Sequence, residues 1–221
     1  MKKLSKILAV SIVFVFMAAG LAMADIIYYP DTTNDWPGYE TLVGDEYGTP
    51  KISGMTLTIE EGYLQSISID MVGRQVYDSL YINANMGLCE NYEAWDYYVK
   101  DVSRADTGAN FYSVADAYTY VYDEVHRPGH PVQITEGLTL LDTGLESAIW
   151  SITNPGGEGT FDDVGVLTYS FDDTFVFLGE KYVVGYTPWC ANDVIITTPE
   201  PMTMLLLGFG LLGLGLARRK S

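Results

Sequence analysis

The stretch that decides the fold is MTLTIEEGYLQSISIDM, which runs from Met55 to Met71. Apolar residues occupy alternate positions on both sides of Glu61-Gly62. They are Met55, Leu57 and Ile59 before this pair, and Ile67, Ile69 and Met71 after it. Successive side chains of a β-strand point to opposite faces, so this alternation indicates two strands with one buried face each. The stretch therefore predicts a β-hairpin that turns at Glu61-Gly62.

The same pattern continues through the rest of the chain as short alternating runs separated by Gly, Asp, Asn or Pro. Further strands are predicted at Ser79–Asn83, Trp95–Lys100, Ala117–Val125, Val132–Thr135, Ala148–Thr153, Val164–Phe171, Thr174–Leu178, Lys181–Tyr186 and Asp193–Thr197. Asp172-Asp173 is predicted to be the turn of a second hairpin. Long apolar stretches of helical period are missing from this region. The pattern predicts an all-β fold, a β-sandwich of two sheets.

The amino-terminal residues have the features of a secretory signal peptide. Lys2, Lys3 and Lys6 precede an apolar run from Ile7 to Leu21, and Ala22-Met23-Ala24 fits a cleavage site. Such a segment is removed on export, so residues 1–24 are set apart from the fold as a signal helix. The mature chain is expected to begin at Asp25.

The carboxyl-terminal residues form a second targeting segment. Pro199-Glu200-Pro201 is followed by an uncharged run from Met202 to Ala217 and then by Arg218, Arg219 and Lys220. As a helix, this run would be about 24 Å long, short of the ~30 Å hydrocarbon core of a bilayer. It predicts a short transmembrane helix with its basic end in the cytoplasm. A plain membrane anchor would also explain the apolar run and the basic residues, but not Pro-Glu-Pro.

In the order of these parts, the segment resembles the PEP-CTERM sorting tail of bacterial exosortase substrates, a tail that is also catalogued under an ice-binding label. The resemblance implies signal peptidase and exosortase as partners during export. It also implies transient anchoring in the inner membrane and a final place at the cell surface or in the extracellular matrix. The chain is thus divided into a signal peptide (1–24), a β-sandwich ectodomain (25–198) and a sorting tail (199–221) with its span at 202–217.

The charge of the predicted ectodomain limits its partners. Residues 25–198 contain six basic and 28 acidic residues, a net charge of −22, within a chain whose net charge is −17. A surface this acidic disfavours nucleic acid and anionic lipid, and it favours solubility outside the cell. Exopolysaccharide is a candidate partner in the matrix.

Cys89 and Cys190 are the two cysteines of the chain. An exported protein can keep a disulfide, and two cysteines allow one pairing. That bridge would close a loop of roughly 100 residues and contribute about 4–5 kcal/mol in the chain-entropy model. Two separate buried thiols are the alternative.

No motif identifies a catalytic or metal site. Asp106-Thr107-Gly108 and Asp142-Thr143-Gly144 repeat the triplet of aspartic proteases, but only 36 residues separate the two aspartates, too few for a lobe around each. His126 and His130 have the spacing of a helical metal pair, but Pro128 and Gly129 between them preclude a helix. We therefore expect no enzyme activity and no cofactor.

Two functions remain open for the ectodomain. The first is a non-enzymatic surface or matrix protein. The second is a secreted carbohydrate-binding or calcium-dependent sandwich with an aromatic groove, for which the candidate rings are Tyr118, Tyr120, Tyr122, Trp95 and Trp150. Tyr118, Tyr120 and Tyr122 share one face of a predicted strand, where cross-strand packing is the expected role. Asp31, Asn34 and Asp35 lie in a predicted loop without the spacing of a calcium loop.

Overall fold

The computed structural model describes residues 24–31, 49–74, 78–85, 94–101, 109–122, 131–156, 162–179, 181–188 and 193–197. These residues form eleven strands and no helix. The strands are β1 (Asp25–Pro30), β2 (Lys51–Glu60), β3 (Tyr63–Val72), β4 (Ser79–Asn83), β5 (Tyr97–Asp101), β6 (Ala109–Tyr122), β7 (Pro131–Leu141), β8 (Leu145–Asn154), β9 (Val164–Phe171), β10 (Val183–Thr187) and β11 (Ile195–Ile196).

Two antiparallel sheets pack into a sandwich, which confirms the predicted all-β fold. The first sheet has the order β1-β2-β3-β9-β8, and the second has the order β11-β10-β4-β5-β6-β7. Their inner faces share one apolar core, in which Leu57 and Ile69 of the first sheet lie with Leu80 and Val99 of the second. The predicted signal helix and transmembrane helix lie outside the described residues.

The hairpin predicted from Met55 to Met71 is confirmed as β2 and β3. Leu57 pairs with Ile67 across the ladder, and both side chains are fully buried. Glu61 has a φ of 52° and Gly62 a φ of 84°. Positive φ at both central residues is the mark of a turn whose twist matches that of its two strands. The sequence thus places this hairpin correctly, including its turn.

The second predicted hairpin is wrong. Residues Thr174–Leu178 do not return alongside β9, because β9 already pairs with β3 on one side and β8 on the other. After Asp172 the chain makes a turn and reaches the start of β3, where Phe177 forms a single bridge with Tyr63. Both edges of β9 are already paired, so the alternating residues 174–178 have no edge of β9 with which to form a ladder.

The β6–β7 hairpin is longer than the sequence predicts, and a bulge divides it. Val114 pairs with Leu138, but the next pair is Thr119 with Glu136, so four residues of β6 lie opposite Gly137 alone. Gly137 has a φ of 75°, and a Cβ on it would lie 2.3 Å from the backbone oxygen of Ala117. Only glycine fits this close approach. The distal half of the hairpin, residues 119–122 and 131–136, packs on the outer face of the second sheet.

Candidate functional site

The site residues predicted from the two ends and the cysteines lie outside the described residues. They are the sorting motif Pro199, Glu200 and Pro201, the membrane stop Arg218, Arg219 and Lys220, and the candidate disulfide pair Cys89 and Cys190. Of Asp31, Asn34 and Asp35 in the predicted loop, only Asp31 is described. Asp106, His126 and His130 also lie outside. These assignments therefore stay predictions.

Asp142-Thr143-Gly144 is the turn between β7 and β8. Gly144 has a φ of 100°, and its carbonyl oxygen accepts a hydrogen bond of 3.0 Å from the backbone N–H of Asp172. Glycine adopts this positive φ without steric cost, so the turn accounts for the glycine of the triplet.

The described residues contain one cluster of buried charges, which we call the ionic cluster: Arg74, Asp78 and Asp101. Arg74 follows β3, Asp78 precedes β4, and Asp101 is the last residue of β5. The backbone N–H of Asp101 donates to the carbonyl oxygen of Asp78 at 2.9 Å, which holds the two aspartates side by side. All three residues are at most 5% exposed. The cluster joins the ends of strands from both sheets.

One cation serves two carboxylates in this cluster. Arg74 Nη2 donates to Asp101 Oδ2 at 2.8 Å, while Arg74 Nε lies 3.5 Å from Asp78 Oδ2. The Tyr169 hydroxyl on β9 also donates to Asp101 Oδ2, at 3.2 Å. Asp101 is thus the better-satisfied carboxylate, and Asp78 the more weakly paired one.

The electrostatics of the cluster follow from this asymmetry. Burial raises the pKa of Asp78 from 3.8 to about 7, and the neighbouring Asp101 adds to the rise while Arg74 opposes it. Burial also raises the pKa of Asp101, with Arg74 pulling the other way. For Arg74, burial lowers the pKa, but the Asp101 and Asp78 carboxylates outweigh it, so the net pKa is raised. The raised pKa of Asp78 thus lies close to neutral pH.

Sequence reasoning missed the ionic cluster. Arg74 and Asp78 flank strands, where charged residues usually face water, and nothing in the period-two pattern places them inside. One signal was available: Arg74 is one of only six basic residues in 25–198 and lies two residues after β3. Within the described ranges, no three His, Cys, Asp or Glu side chains meet in a way that could hold a metal ion.

A second buried group, which we call the aromatic cluster, lies on the outer face of the second sheet. Its fully buried rings are Tyr81 and Tyr98, and Trp95 is 3% exposed. The Tyr81 centroid lies 5.3 Å from Trp95 and 5.2 Å from Tyr98. Tyr120 of the distal hairpin covers them, with its centroid 6.3 Å from Tyr81. The outer face of this sheet is thus closed by the chain's own hairpin.

Hydrogen bonds fasten the hairpin to the aromatic cluster. Trp95 Nε1 donates to the Tyr120 hydroxyl. Ser79 Oγ donates to the carbonyl oxygen of Val132 at 2.7 Å and lies 2.9 Å from the Tyr98 hydroxyl. Each of these groups lies under the distal hairpin, so the contacts both bury the rings and satisfy their polar ends.

The candidate rings for a carbohydrate groove are mostly used in packing. Trp95 is buried, and Tyr118 and Tyr120 are half-buried against the aromatic cluster. Trp150 is half-buried against the inter-sheet core. Only Tyr122, at 40% exposed, presents much of its ring to solvent. The face of Tyr118, Tyr120 and Tyr122 is therefore chiefly packing, as the cross-strand argument predicts.

In the ranges that the structure describes, no helix has the length and apolar character needed to cross a membrane.

Comparison with known proteins identifies the carboxyl-terminal segment. Residues 197–220 match the family model of the PEP-CTERM protein-sorting motif. No curated protein and no solved structure matches the chain. The chain carries a PEP-CTERM sorting motif, as its residues predict. Such a motif implies processing by exosortase and export to the cell surface or extracellular space.

Proposed function

We propose that this chain is an exported β-sandwich protein that exosortase cuts from a temporary membrane anchor and leaves at the cell surface or in the extracellular matrix. In this proposal signal peptidase removes residues 1–24, and the run 202–217 holds the chain in the inner membrane. Cleavage near Pro199-Glu200-Pro201 then frees the sandwich. The sandwich itself acts by binding or by filling the matrix, without catalysis.

The observation that carries the proposal is the match of residues 197–220 to the sorting motif. Physical features of the segment agree with it. Prolines at 199 and 201 disfavour helix just outside the membrane and favour the extended backbone that proteases bind. The run 202–217 contains four glycines, which weaken a helix by roughly 1 kcal/mol each relative to alanine. A short, glycine-rich helix unwinds readily, which suits a membrane span that a protease is to process.

The burial of the ionic cluster supports a non-catalytic sandwich. Catalytic groups combine a shifted pKa with access to a substrate. Asp78 and Asp101 have raised pKa values, but their side chains are enclosed between the sheets. Their contacts with Arg74 and Tyr169 are those of a structural ion pair.

The test is fractionation of cells that produce the full chain together with a working exosortase. The wild-type sandwich is expected in the surface and medium fractions. A variant with Pro199→Ala, Glu200→Ala and Pro201→Ala is expected to stay with the inner membrane, because the cleavage segment is lost while the anchor remains. The matched control carries Glu146→Ala and Pro155→Ala, at exposed positions of the sandwich, and should be distributed like wild type.

Equal release of the wild type and the triple variant would overturn the exosortase step. Retention of both in the inner membrane would instead favour the plain anchor.

A further inference from the structure

The two outer faces of the sandwich are built differently. The aromatic cluster and the distal hairpin close the face of the second sheet. On the first sheet, six outward side chains near the middle of the three central strands bear hydroxyls, and we call these six the hydroxyl face. They are Thr56 and Thr58 on β2, Ser66 and Ser68 on β3, and Thr168 and Ser170 on β9.

The strand register arranges these six residues as two straight rows. Thr56 pairs with Ser68, and Ser68 pairs with Thr168. Thr58 pairs with Ser66, and Ser66 pairs with Ser170, to give the second row. Neighbours in a row are about 4.7–4.9 Å apart between strands, and the rows are roughly 6.5–7 Å apart along them. The result is a grid of groups that each donate and accept hydrogen bonds.

Exposed apolar side chains border this grid. Tyr28 on β1 pairs with Thr56 and is 54% exposed, while Ile149 on β8 pairs with Thr168 at the other end of that row and is 43% exposed. The phenol end of Tyr28 lies over Gly54, where an added Cβ would come within 2.4 Å of its oxygen. The Tyr28 hydroxyl reaches the carbonyl oxygen of Ser53 at 3.2 Å. The ring is thus held down on the sheet beside the hydroxyls.

The hydroxyl face is also uncharged in a strongly acidic chain. The two rows, extended to β1 and β8, contain Ile26, Tyr28, Ser147 and Ile149 besides the six hydroxyl residues, and none of these ten positions is ionisable near neutral pH. Asp70 and Glu60 border the grid at opposite ends, each two residues along its strand from a hydroxyl residue. With a net charge of −17 on the chain, a polyanion would be repelled, and so would a second copy. A neutral ligand is favoured.

We propose that the hydroxyl face, with Tyr28 at its edge, is a binding surface for a neutral polysaccharide. An extended glycan lying along the row Tyr28–Thr56–Ser68–Thr168–Ile149 would meet an aromatic ring, hydroxyls and an aliphatic side chain over roughly 19 Å. Sugar hydroxyls and Ser or Thr hydroxyls are mutual donors and acceptors. The 3.0 Å contact between Ser68 Oγ and Thr168 Oγ1 shows that neighbouring hydroxyls already lie at hydrogen-bonding distance. A protein partner fits less well, because the cores of protein–protein interfaces are poor in serine and rich in large side chains such as tryptophan, tyrosine and arginine.

This surface differs from the rings that the sequence analysis named as candidates for a carbohydrate groove. Tyr118 and Tyr120 pack against the aromatic cluster on the outer face of the second sheet, whereas Tyr28 lies on the first sheet, on the opposite side of the sandwich. The proposal goes beyond sorting and does not depend on how the tail is processed.

The test is affinity gel electrophoresis of the full-length chain in mild detergent, with hydroxyethylcellulose, laminarin or dextran in the gel as uncharged probes. Carboxymethylcellulose and alginate serve as anionic probes. Wild type should be retarded by at least one uncharged probe and by neither anionic one. Thr56→Val with Thr168→Val removes two hydroxyls at nearly constant shape, and about a tenfold loss of affinity is expected. Tyr28→Ala should cause a comparable loss.

Two matched controls make the same changes on the second sheet. Thr135→Val and Tyr122→Ala alter exposed residues of the distal hairpin and should bind like wild type. Every variant is first shown to keep the wild-type thermal unfolding midpoint within a few degrees; should Tyr28→Ala unfold, Tyr28→Leu replaces it.

The proposal is overturned if no uncharged probe retards the wild type, or if the hydroxyl-face variants bind as well as the controls do. It is also overturned if these variants leave glycan binding intact but abolish a dimer seen by sedimentation, since the face would then dock a second copy.

Discussion

The ionic cluster and the aromatic cluster lie on opposite sides of the second sheet, and they stabilise the sandwich by different physics. In the ionic cluster Arg74 is the one basic residue, and it faces two carboxylates, so each group depends on it. In the aromatic cluster, several ring contacts contribute together, and the hydrogen bonds join neutral groups. The stability conferred by the ionic cluster should therefore depend on pH and fall sharply on loss of one residue, whereas that of the aromatic cluster should be independent of pH and fall less.

The largest effect is expected from Arg74→Met. Without the cation, Asp78 and Asp101 stay buried with no opposite charge, which costs about 3–5 kcal/mol of unfolding free energy. Chemical denaturation followed by far-ultraviolet circular dichroism measures this. Lys181→Met removes a positive charge from an exposed position and should change stability by less than about 0.5 kcal/mol. A loss below about 1 kcal/mol for Arg74→Met would mean that the two carboxylates do not depend on Arg74.

The pH dependence gives the next largest effect. Asp78 has a pKa of about 7 in the fold, above its ordinary value of 3.8, so it favours the folded state while protonated. Its stabilisation is complete below pH ~4 and is lost as the pH rises through 7, on the order of 4 kcal/mol in all. The raised pKa of Asp101 acts in the same direction.

Asp78→Asn tests this assignment. The variant cannot ionise, so the fall in unfolding free energy between pH 4 and pH 8 should be clearly smaller than in wild type. Asp173→Asn, in the exposed turn after β9, is the matched control. An unchanged pH profile in Asp78→Asn would locate the titrating group elsewhere.

The smallest effect is expected in the aromatic cluster. Tyr120→Phe keeps the ring but removes the oxygen that accepts from Trp95 Nε1, a loss of about 1 kcal/mol that should be the same at pH 5 and pH 8. Tyr122→Phe, on the more exposed neighbour, should change stability by less than about 0.5 kcal/mol. If the loss of unfolding free energy in Tyr120→Phe differed strongly between pH 5 and pH 8, the two clusters would not differ in their response to pH.

The sequence predicted the parts of the molecule that depend on local pattern. The β2–β3 hairpin follows from alternation and from a turn pair that tolerates positive φ, and the strand of Val164–Phe171 has the same bounds in the structure. The sorting motif is a linear signal and needs no fold to be recognised. In these cases the determining residues are neighbours in the sequence.

The parts that were missed depend on contacts between distant residues. The bulge in the β6–β7 hairpin depends on the close approach of Gly137 to the backbone of Ala117. The packing of Tyr120 against Tyr81 brings together segments about 40 residues apart in the sequence. The ionic cluster combines loop ends with strand residues from both sheets. The hydroxyl face was visible as alternating Ser and Thr, but its two rows exist only once the register of β2, β3 and β9 is known.

The most direct test of export and processing is the mass of the mature chain. The protein is taken from the surface of cells with a working exosortase, and its terminal peptides are identified by mass spectrometry. The account predicts an amino terminus at Asp25 and a carboxyl terminus near Pro199-Glu200-Pro201, without the run 202–217. An intact peptide through Lys220 as the main surface form would contradict it.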